Sequence, residues 1–368
     1  MDRANIVIIG GGVVGCAVAR AVSARWNDVF LLEVLPGLGM GASSRNSGVI
    51  HAGLYYPQGS LKARHCLRGN PLTYEFCAAH GVSHRRTGKL VVASSPAEAG
   101  ALAALHQNAI ANGVAGLRIV ERARIRELEP HAEGFQAIEV PSTGIVAAEE
   151  LVKAYARIAA EQGAHIVTQA RVERLEPLRD GIRVVSTAGE IETKCVVNSA
   201  GLFADEVAAL LGSSMARHRI YPVRGEYCEL VRGKQDWVRG LVYPLPHTDG
   251  KSIGVHFTKT VWGSVLVGPT ARYIDDKNNY ERDRYPVEDF VPEARLLLPG
   301  IEASDLVLAH SGIRAKLTPP GGGLGDFIIE RDPEFPRVVQ LIGIESPGLT
   351  SAPSIAEHVR TLAGEILA

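Results

Sequence analysis

The sequence predicts a fold of the α/β plus α+β class, in which a parallel α/β unit is interleaved along the chain with an antiparallel β-rich one. Three observations predict it: a strand, glycine turn, helix and strand within residues 4–33; apolar strand-like runs that return at 195–198 and 338–344; and a block of alternating segments between Arg219 and Pro269. The first unit opens with Asn5-Ile6-Val7-Ile8-Ile9, an apolar run of the kind buried on both faces of a parallel sheet. A glycine turn follows, then a helical run over 13–24 and the strand Val29-Phe30-Leu31-Leu32 ending at Glu33. Together they make one βαβ unit.

Between Leu35 and Gly59, glycine, serine and asparagine recur without a period, so this stretch reads as a long loop, and long loops in compact domains usually carry function. Ser95-Pro96-Ala97-Glu98 supplies an N-cap, a first-turn proline and a capping-box glutamate for a helix that closes at Gly113. A second helix, 149–162, keeps Leu151, Val152, Tyr155, Ile158 and Ala159 at helical spacing and stops at Gly163. Strands with turns at Asp180-Gly181 and Ala188-Gly189 follow. Alternation over 227–231, 252–257 and 264–267 predicts an antiparallel sheet, and a helix over 351–367 returns the chain to the first unit. The division expected is 1–85, 145–215 and 305–368 for the nucleotide-binding domain, with 86–144 and 216–304 for the substrate domain.

With 368 residues, 46% of them hydrophobic, the chain has enough apolar material for a large core or two joined ones. Its net charge of -1 is made of interspersed acids and bases, which excludes a nucleic-acid face and leaves a small molecule as the expected partner. Cys16, Cys66, Cys77, Cys195 and Cys228 form no C-x-x-C pair, so a reducing compartment and no metal site are expected. No apolar run reaches ~18 residues, so the expected location is cytoplasmic or peripheral to the inner face of the membrane.

Gly10-Gly11-Gly12-Val13-Val14-Gly15 fits G-x-G-x-x-G directly after a strand and at the start of a helix, with an acidic residue, Glu33, eighteen positions beyond Gly15. Gly10 permits the tight turn, Gly12 lets the backbone approach a pyrophosphate, Gly15 lets helix pack on strand, and Glu33 is placed for a ribose hydroxyl. The fingerprint alone does not separate NAD from FAD. Three segments favour FAD: the donor-rich loop Gly41-Ala42-Ser43-Ser44-Arg45-Asn46-Ser47-Gly48; Asn198-Ser199-Ala200-Gly201 between a strand and the helical run 204–211; and Gly343-Ile344-Glu345-Ser346-Pro347-Gly348-Leu349-Thr350, which leads into the terminal helix. The positive N-terminus of that helix suits the N1/C2=O edge of a reduced flavin.

The stretches 44–56 (SRNSGVIHAGLYY), 242–246 (VYPLP), 254–258 (GVHFT), 268–270 (GPT) and 312–315 (GIRA) resemble those of the D-amino-acid-oxidase (DAO) superfamily, and within it most resemble L-2-hydroxyglutarate dehydrogenases and oxidases. The resemblance spans nearly the whole chain. It implies a Rossmann-like FAD-binding domain of glutathione-reductase type interleaved with an antiparallel β-rich substrate domain. Two departures stand out: residues 272–309 read as shorter than in animal members, and the run 319–325 (PPGGGLG) is this chain's own. Fingerprint, segments and resemblance together give an expected FAD site of Gly10, Gly12, Val14, Gly15, Glu33, Ser43, Ser44, Arg45, Asn46, Ser47, Gly48, Val172, Ala200, Gly201, Gly312, Gly348, Leu349 and Thr350.

No second glycine fingerprint and no close cysteine pair is present to feed electrons inward, so an organic substrate is the expected donor. Oxidising a hydroxy acid requires hydride transfer to flavin N5 and a base for the hydroxyl proton, a task suited to histidine. His51 and His256 are the candidates, and His247, in a Pro-Leu-Pro-His turn, reads as exposed. Arg314 is the first choice for a substrate carboxylate, ahead of Lys259, Arg224 and Arg272. Tyr55 and Tyr56 either hydrogen-bond substrate or pack with a polar tip outward, and Lys62 and Arg64 read as solvated. The reaction expected is L-2-hydroxyglutarate to 2-oxoglutarate, with a quinone, oxygen or an electron-transfer protein as acceptor. Three other readings stand beside it: glycerol 3-phosphate oxidation, amine or amino-acid oxidation, and a non-catalytic flavoprotein subunit.

Overall fold

The computed structural model describes residues 2–246 and 254–368. Two large sheets carry the molecule, and the chain passes repeatedly between them. The first has eight strands around the parallel set Asp2–Ile9, Val29–Leu32, His165–Val167, Gly189–Asn198 and Val338–Ile342. In Asp2–Ile9 both alternating sets are buried. Ile6 and Ile8 face the helices Val13–Ser23, Ala148–Glu161 and Gly348–Leu367, whereas Val7 and Ile9 face a cluster containing Leu175, Ile182 and Val184. Covering both faces is what lets the strand be apolar throughout, and each such side chain contributes about 1.5–3 kcal/mol.

Both long predicted helices form, with the glycines beyond them in the left-handed region: Ala99–Ala111 precedes Gly113 (φ 88°) and Ala148–Glu161 precedes Gly163 (φ 91°). The capping at Ser95 differs from expectation. A single 3₁₀ turn, Pro96–Glu98, intervenes, Ser95 makes no side-chain cap, and the Glu98 carboxylate accepts instead from the Ser94 N–H at 2.5 Å. The two hairpins Val172–Leu178/Gly181–Ser186 and Gly181–Ser186/Gly189–Asn198 turn through two residues each, and Gly181 and Gly189 already belong to the strands that follow.

The second sheet has nine strands, in the order Arg272–Tyr273, Tyr221–Leu230, Val265–Gly268, His256–Lys259, Leu241–Pro244, Lys89–Ala93, Gln136–Val140 and Arg118–Glu121, with Leu306–Lys316 also on Tyr221–Leu230. Its pairings are antiparallel except for Leu241–Pro244 on Lys89–Ala93, which is parallel. That junction unites the early and late halves of the β-rich part. Leu306–Lys316 pairs here, so the return to the first sheet comes only with Ile328–Arg331. Part of the predicted strand 252–257, and His247, lie outside the described residues.

Candidate functional site

A cavity of about 950 Å³ runs between the two sheets. One end is the glycine turn. Gly10 sits at φ 102° and a Cβ there would lie 2.6 Å from the Ser199 carbonyl oxygen; a Cβ on Gly15 would lie 1.9 Å from that of Gly10. The helix Val13–Ser23 therefore starts against its own strand with no side chain between them. Gly12, the N-cap, offers no side-chain cap, and the Val13 N–H donates to Ser43 Oγ at 2.9 Å. That N-terminus, with its positive potential, thus lines the cavity. Glu33 accepts from the Gly11 N–H at 2.6 Å and the Leu35 N–H at 2.9 Å, which holds its carboxylate at the cavity wall with lone pairs left for a sugar hydroxyl.

Of the expected FAD residues, Gly10, Gly12, Val14, Glu33, Ser43, Arg45, Asn46, Ser47, Val172, Ala200, Gly201, Gly312, Gly348 and Leu349 line this cavity, and Gly15, Ser44, Gly48 and Thr350 stand behind it. Their work is structural. Gly48 (φ 64°) lies against the Val146 carbonyl, the Ser44 hydroxyl donates to the Gly41 carbonyl, and Thr350 Oγ1 accepts from the His51 N–H at 3.0 Å while donating to Val49. Asn46 is a loop staple as well, its amide donating to the Ala42 and Ser43 carbonyls while its oxygen accepts from the Gly48 N–H. Arg45 reaches across to the other sheet, to the Ser311 carbonyl and Glu281, with its guanidinium 4.4 Å from the Tyr280 ring. Gly312 is there for clearance, since a Cβ on it would lie 2.0 Å from the Arg45 carbonyl oxygen.

His51, His256, Arg314 and Tyr55 all line the same cavity. Burial, with the Lys89 charge nearby, holds His51 well below its ordinary value and His256 down at about 3, so both imidazoles are neutral near pH 7. His256 Nδ1 lies 2.8 Å from the Gly254 carbonyl, which makes it the protonated nitrogen and leaves Nε2 as an acceptor. Its ring stacks on Tyr243 at 3.7 Å. His51 Nε2 lies 3.4 Å from Ser346 Oγ, just before the helix Gly348–Leu367. Gly69 lets the helix Leu61–His80 press onto that helix: a Cβ there would come within 2.2 Å of the Thr350 carbonyl oxygen. Arg314 is half-buried, donates to the Thr270 carbonyl at 3.4 Å, and has no carboxylate partner among the described residues.

Three arginine and lysine expectations are corrected. Arg224 is fully buried in an ion pair with Glu226 at 2.8 Å, Arg272 leans on the same carboxylate, and Lys259 is held by the Gln235 carbonyl at 2.6 Å, so each is committed to the fold rather than to a ligand. Lys62, read from sequence as solvated, is 3% exposed, lines the cavity and pairs with Glu345 at 2.8 Å. Tyr56, Tyr227 and Tyr243 also line the cavity. Tyr243 sits in the VYPLP stretch and Lys62 six residues past Tyr56, so their proximity to known candidates was the available signal.

A model of the FAD dependent oxidoreductase (DAO) family matches residues 5–362. The chain belongs to that family. Among its relatives, the mitochondrial L-2-hydroxyglutarate dehydrogenase of Arabidopsis thaliana is 34% identical over 97% of this chain and 83% of its own length. The L-2-hydroxyglutarate dehydrogenase of Escherichia coli O17:K52:H18 is 32% identical over 99% of this chain and 94% of its own length. Among solved structures, the dithionite-reduced L-alpha-glycerophosphate oxidase of Mycoplasma pneumoniae with FAD bound superposes with a TM-score of 0.89 at 25% identity, covering 99% of this chain and 95% of that one. The glycine oxidase of Geobacillus kaustophilus shares the fold, with a TM-score of 0.83 at 22% identity over 99% and 95%.

The residues present fit the cofactor of this FAD dependent oxidoreductase. Glycines clear the turn at the first helix, an acceptor carboxylate stands beside it, and a second helix N-terminus, at Gly348, lines the same cavity. The five cysteines are free and buried, and no His, Cys, Asp or Glu group among the described residues is arranged to hold a metal ion. Among the described residues no helix is long and apolar enough to cross a membrane.

Proposed function

We propose that this FAD dependent oxidoreductase oxidises a small 2-hydroxy acid, and that its substrate is L-2-hydroxyglutarate, released as 2-oxoglutarate. One observation carries the reading: a guanidinium with no carboxylate partner among the described residues, Arg314, shares a cavity with two neutral imidazoles, His51 and His256. Bound against Gly10, Gly12, Glu33, Ser43 and Gly348, FAD supplies the two-electron acceptor that the oxidation requires. Arg314 holds a substrate carboxylate through paired N–H donors and so fixes which face of the carbinol carbon is presented. His51 takes the hydroxyl proton: of the two imidazoles it is the one half-open to the cavity, while His256 is 5% exposed. His256, its Nδ1–H spent on the Gly254 carbonyl and its ring stacked on Tyr243, is a fixed wall of the site. The relatives named L-2-hydroxyglutarate dehydrogenases support the choice of acid.

The test is anaerobic titration of the purified yellow protein with L-2-hydroxyglutarate, lactate, glycerol 3-phosphate, glycine and proline. Bleaching of the flavin by L-2-hydroxyglutarate at stoichiometric amounts is the expected outcome, and reduction by another compound but not by this acid overturns it. Glycerol 3-phosphate is the second reading, favoured by the likeness to a glycerophosphate oxidase. Against it, two of the cations lining the cavity are already paired, Lys62 with Glu345 and Arg45 with Glu281, which leaves them less free to hold a phosphate ester. Turnover with a quinone, oxygen and an electron-transfer protein in turn identifies the acceptor.

A further inference from the structure

Lys89 opens the strand Lys89–Ala93, every residue of which is buried, and it is itself only 3% exposed. A buried ammonium ordinarily sits in an ion pair, because desolvation disfavours the charge unless an anion answers it. Lys89 has no carboxylate partner among the described residues. Its Nζ lies 3.2 Å from Tyr55 Oη, 4.6 Å from the Tyr55 ring centroid and 4.7 Å from that of Tyr243, a pair of aromatic faces that offsets part of the desolvation. In its charged form Lys89 has no lone pair, so in that form the hydrogen bond has one sense: Lys89 donates and the phenol oxygen accepts. The phenol's own hydrogen is thereby turned away from Nζ, and Tyr55 lines the cavity into which it can be directed.

Tyr55 is held in place from a second side. Asn108, on the helix Ala99–Ala111, and Asn112, which caps that helix, donate through their amides to the carbonyls of Gly53, Leu54 and Tyr56, so the backbone on both sides of the tyrosine is clamped. A fixed phenol, backed by a lysine with no carboxylate partner among the described residues, is a binding point for an anion arriving through the cavity. We infer that Lys89 is a positioning residue that makes the Tyr55 phenol a hydrogen donor to the second carboxylate of a dicarboxylic hydroxy acid, while Arg314 holds the first. The inference rests on the reading of the substrate as a 2-hydroxy acid and assigns the part of the cavity that distinguishes a diacid from a monoacid.

Burial brings Lys89 down to about 7, and the titratable groups around it are Tyr55 and His51 on the loop, Cys66 on the helix Leu61–His80, and Tyr243 and His256 on neighbouring strands. An anion beside it favours the charged form, so diacid binding above pH 7 draws a proton onto Lys89. The probes are glutarate and pentanoate, which share a chain length, differ by one carboxylate and cannot be oxidised at a hydroxyl. Calorimetry on the FAD-loaded enzyme at pH 8, in two buffers of different ionisation enthalpy, is expected to show proton uptake with glutarate and not with pentanoate. Lys89→Met is expected to weaken glutarate on the order of tenfold or more, to leave pentanoate within about twofold, and to abolish the difference in proton uptake. Equal weakening of both acids, or no weakening of glutarate, overturns the inference. Should Lys89→Met fail to hold flavin, Tyr55→Phe is decisive alone: the same selective loss supports the assignment and unchanged glutarate affinity overturns it. Because neither probe is turned over, this outcome is independent of whether L-2-hydroxyglutarate reduces the flavin.

Discussion

The two ends of the cavity are built on opposite plans. At the nucleotide end the working groups are backbone, and the sequence contributes mainly by leaving side chains out: Gly10 and Gly15 have carbonyl oxygens where a Cβ would stand. At the substrate end the working groups are polar side chains forced into burial, among them His256, Lys89, Tyr243 and the Lys62–Glu345 pair. A backbone cradle is specified within a few consecutive residues. A polar pocket is specified only when distant strands meet, and its members hold strained protonation states that only the assembled pocket can impose.

This contrast fixes where substitutions hurt and what they spoil. Gly15→Val has the largest expected effect: the new side chain meets Gly10 O and Ser199 Oγ, so the first helix cannot pack on its strand, with a cost above about 4 kcal/mol. Colourless or insoluble protein is the outcome, read from the ratio of flavin to protein absorbance; a yellow, stable variant would show that the cradle is less rigid than its geometry. His51→Ala spoils the other end selectively. Loss of the base should lower kcat by about 10²–10⁴-fold while flavin content stays at wild-type level, and stopped-flow reduction of the bound flavin is the direct measurement. Equal loss from His256→Ala, with His51→Ala nearly normal, would exchange the two roles. Arg314→Ala should also retain flavin and lose kcat/KM by about 2–5 kcal/mol of transition-state binding, provided the carboxylate is held there.

A fourth test concerns stability at the substrate end. Glu345→Gln leaves the Lys62 ammonium buried at the cavity wall with its charge unanswered, and breaking such a pair costs about 3–5 kcal/mol. The expected reading is a lowered thermal midpoint for the FAD-loaded protein, recovered in part by the double variant Lys62→Met, Glu345→Gln, in which no lone charge remains. No recovery would mean that the glutamate acts through something other than the lysine.

What was legible in the sequence follows the same division. The glycine fingerprint, the strand before it, the helix after it and Glu33 are contiguous or nearly so, and the structure assembles them as a single unit. The resemblance stretches around His51, His256 and Arg314 likewise converge on one cavity. Lys62 escaped because Ser60-Leu61-Lys62-Ala63-Arg64 looks like the first turn of an ordinary surface helix, and the residue that draws it inward, Glu345, lies 283 positions away. Arg224 was offered to the substrate for the converse reason: its partner Glu226 stands two residues on, on the same side of one strand, but the strand's own pattern does not announce that both charges would be fully buried. Local pattern reports periodicity and turn chemistry. It does not report which charge a remote loop will deliver.

The smallest expected effect separates the two ends by pH. His256 has its folded value depressed to about 3, so the neutral ring is the form that the native state holds. Its contribution to stability is complete above the unfolded value near 6.5 and is lost as pH falls from there toward the folded value. Between pH 7.5 and pH 5 that loss comes to about 2 kcal/mol for this residue, in the same direction as those of His51 and His65, whose values burial also lowers. His256→Gln removes the proton-linked part and keeps a polar side chain in the strand, so its unfolding midpoint should fall less than the wild type's over that interval. The cradle has no such titrating group at its glycines, and Gly12→Ala, whose added methyl only approaches Ser43 Oγ at 3.2 Å, should leave the pH dependence of stability unchanged. A wild-type midpoint that is flat between pH 7.5 and 5 would mean that His256 is solvated in solution, and with it the stacked Tyr243 and the closed substrate end.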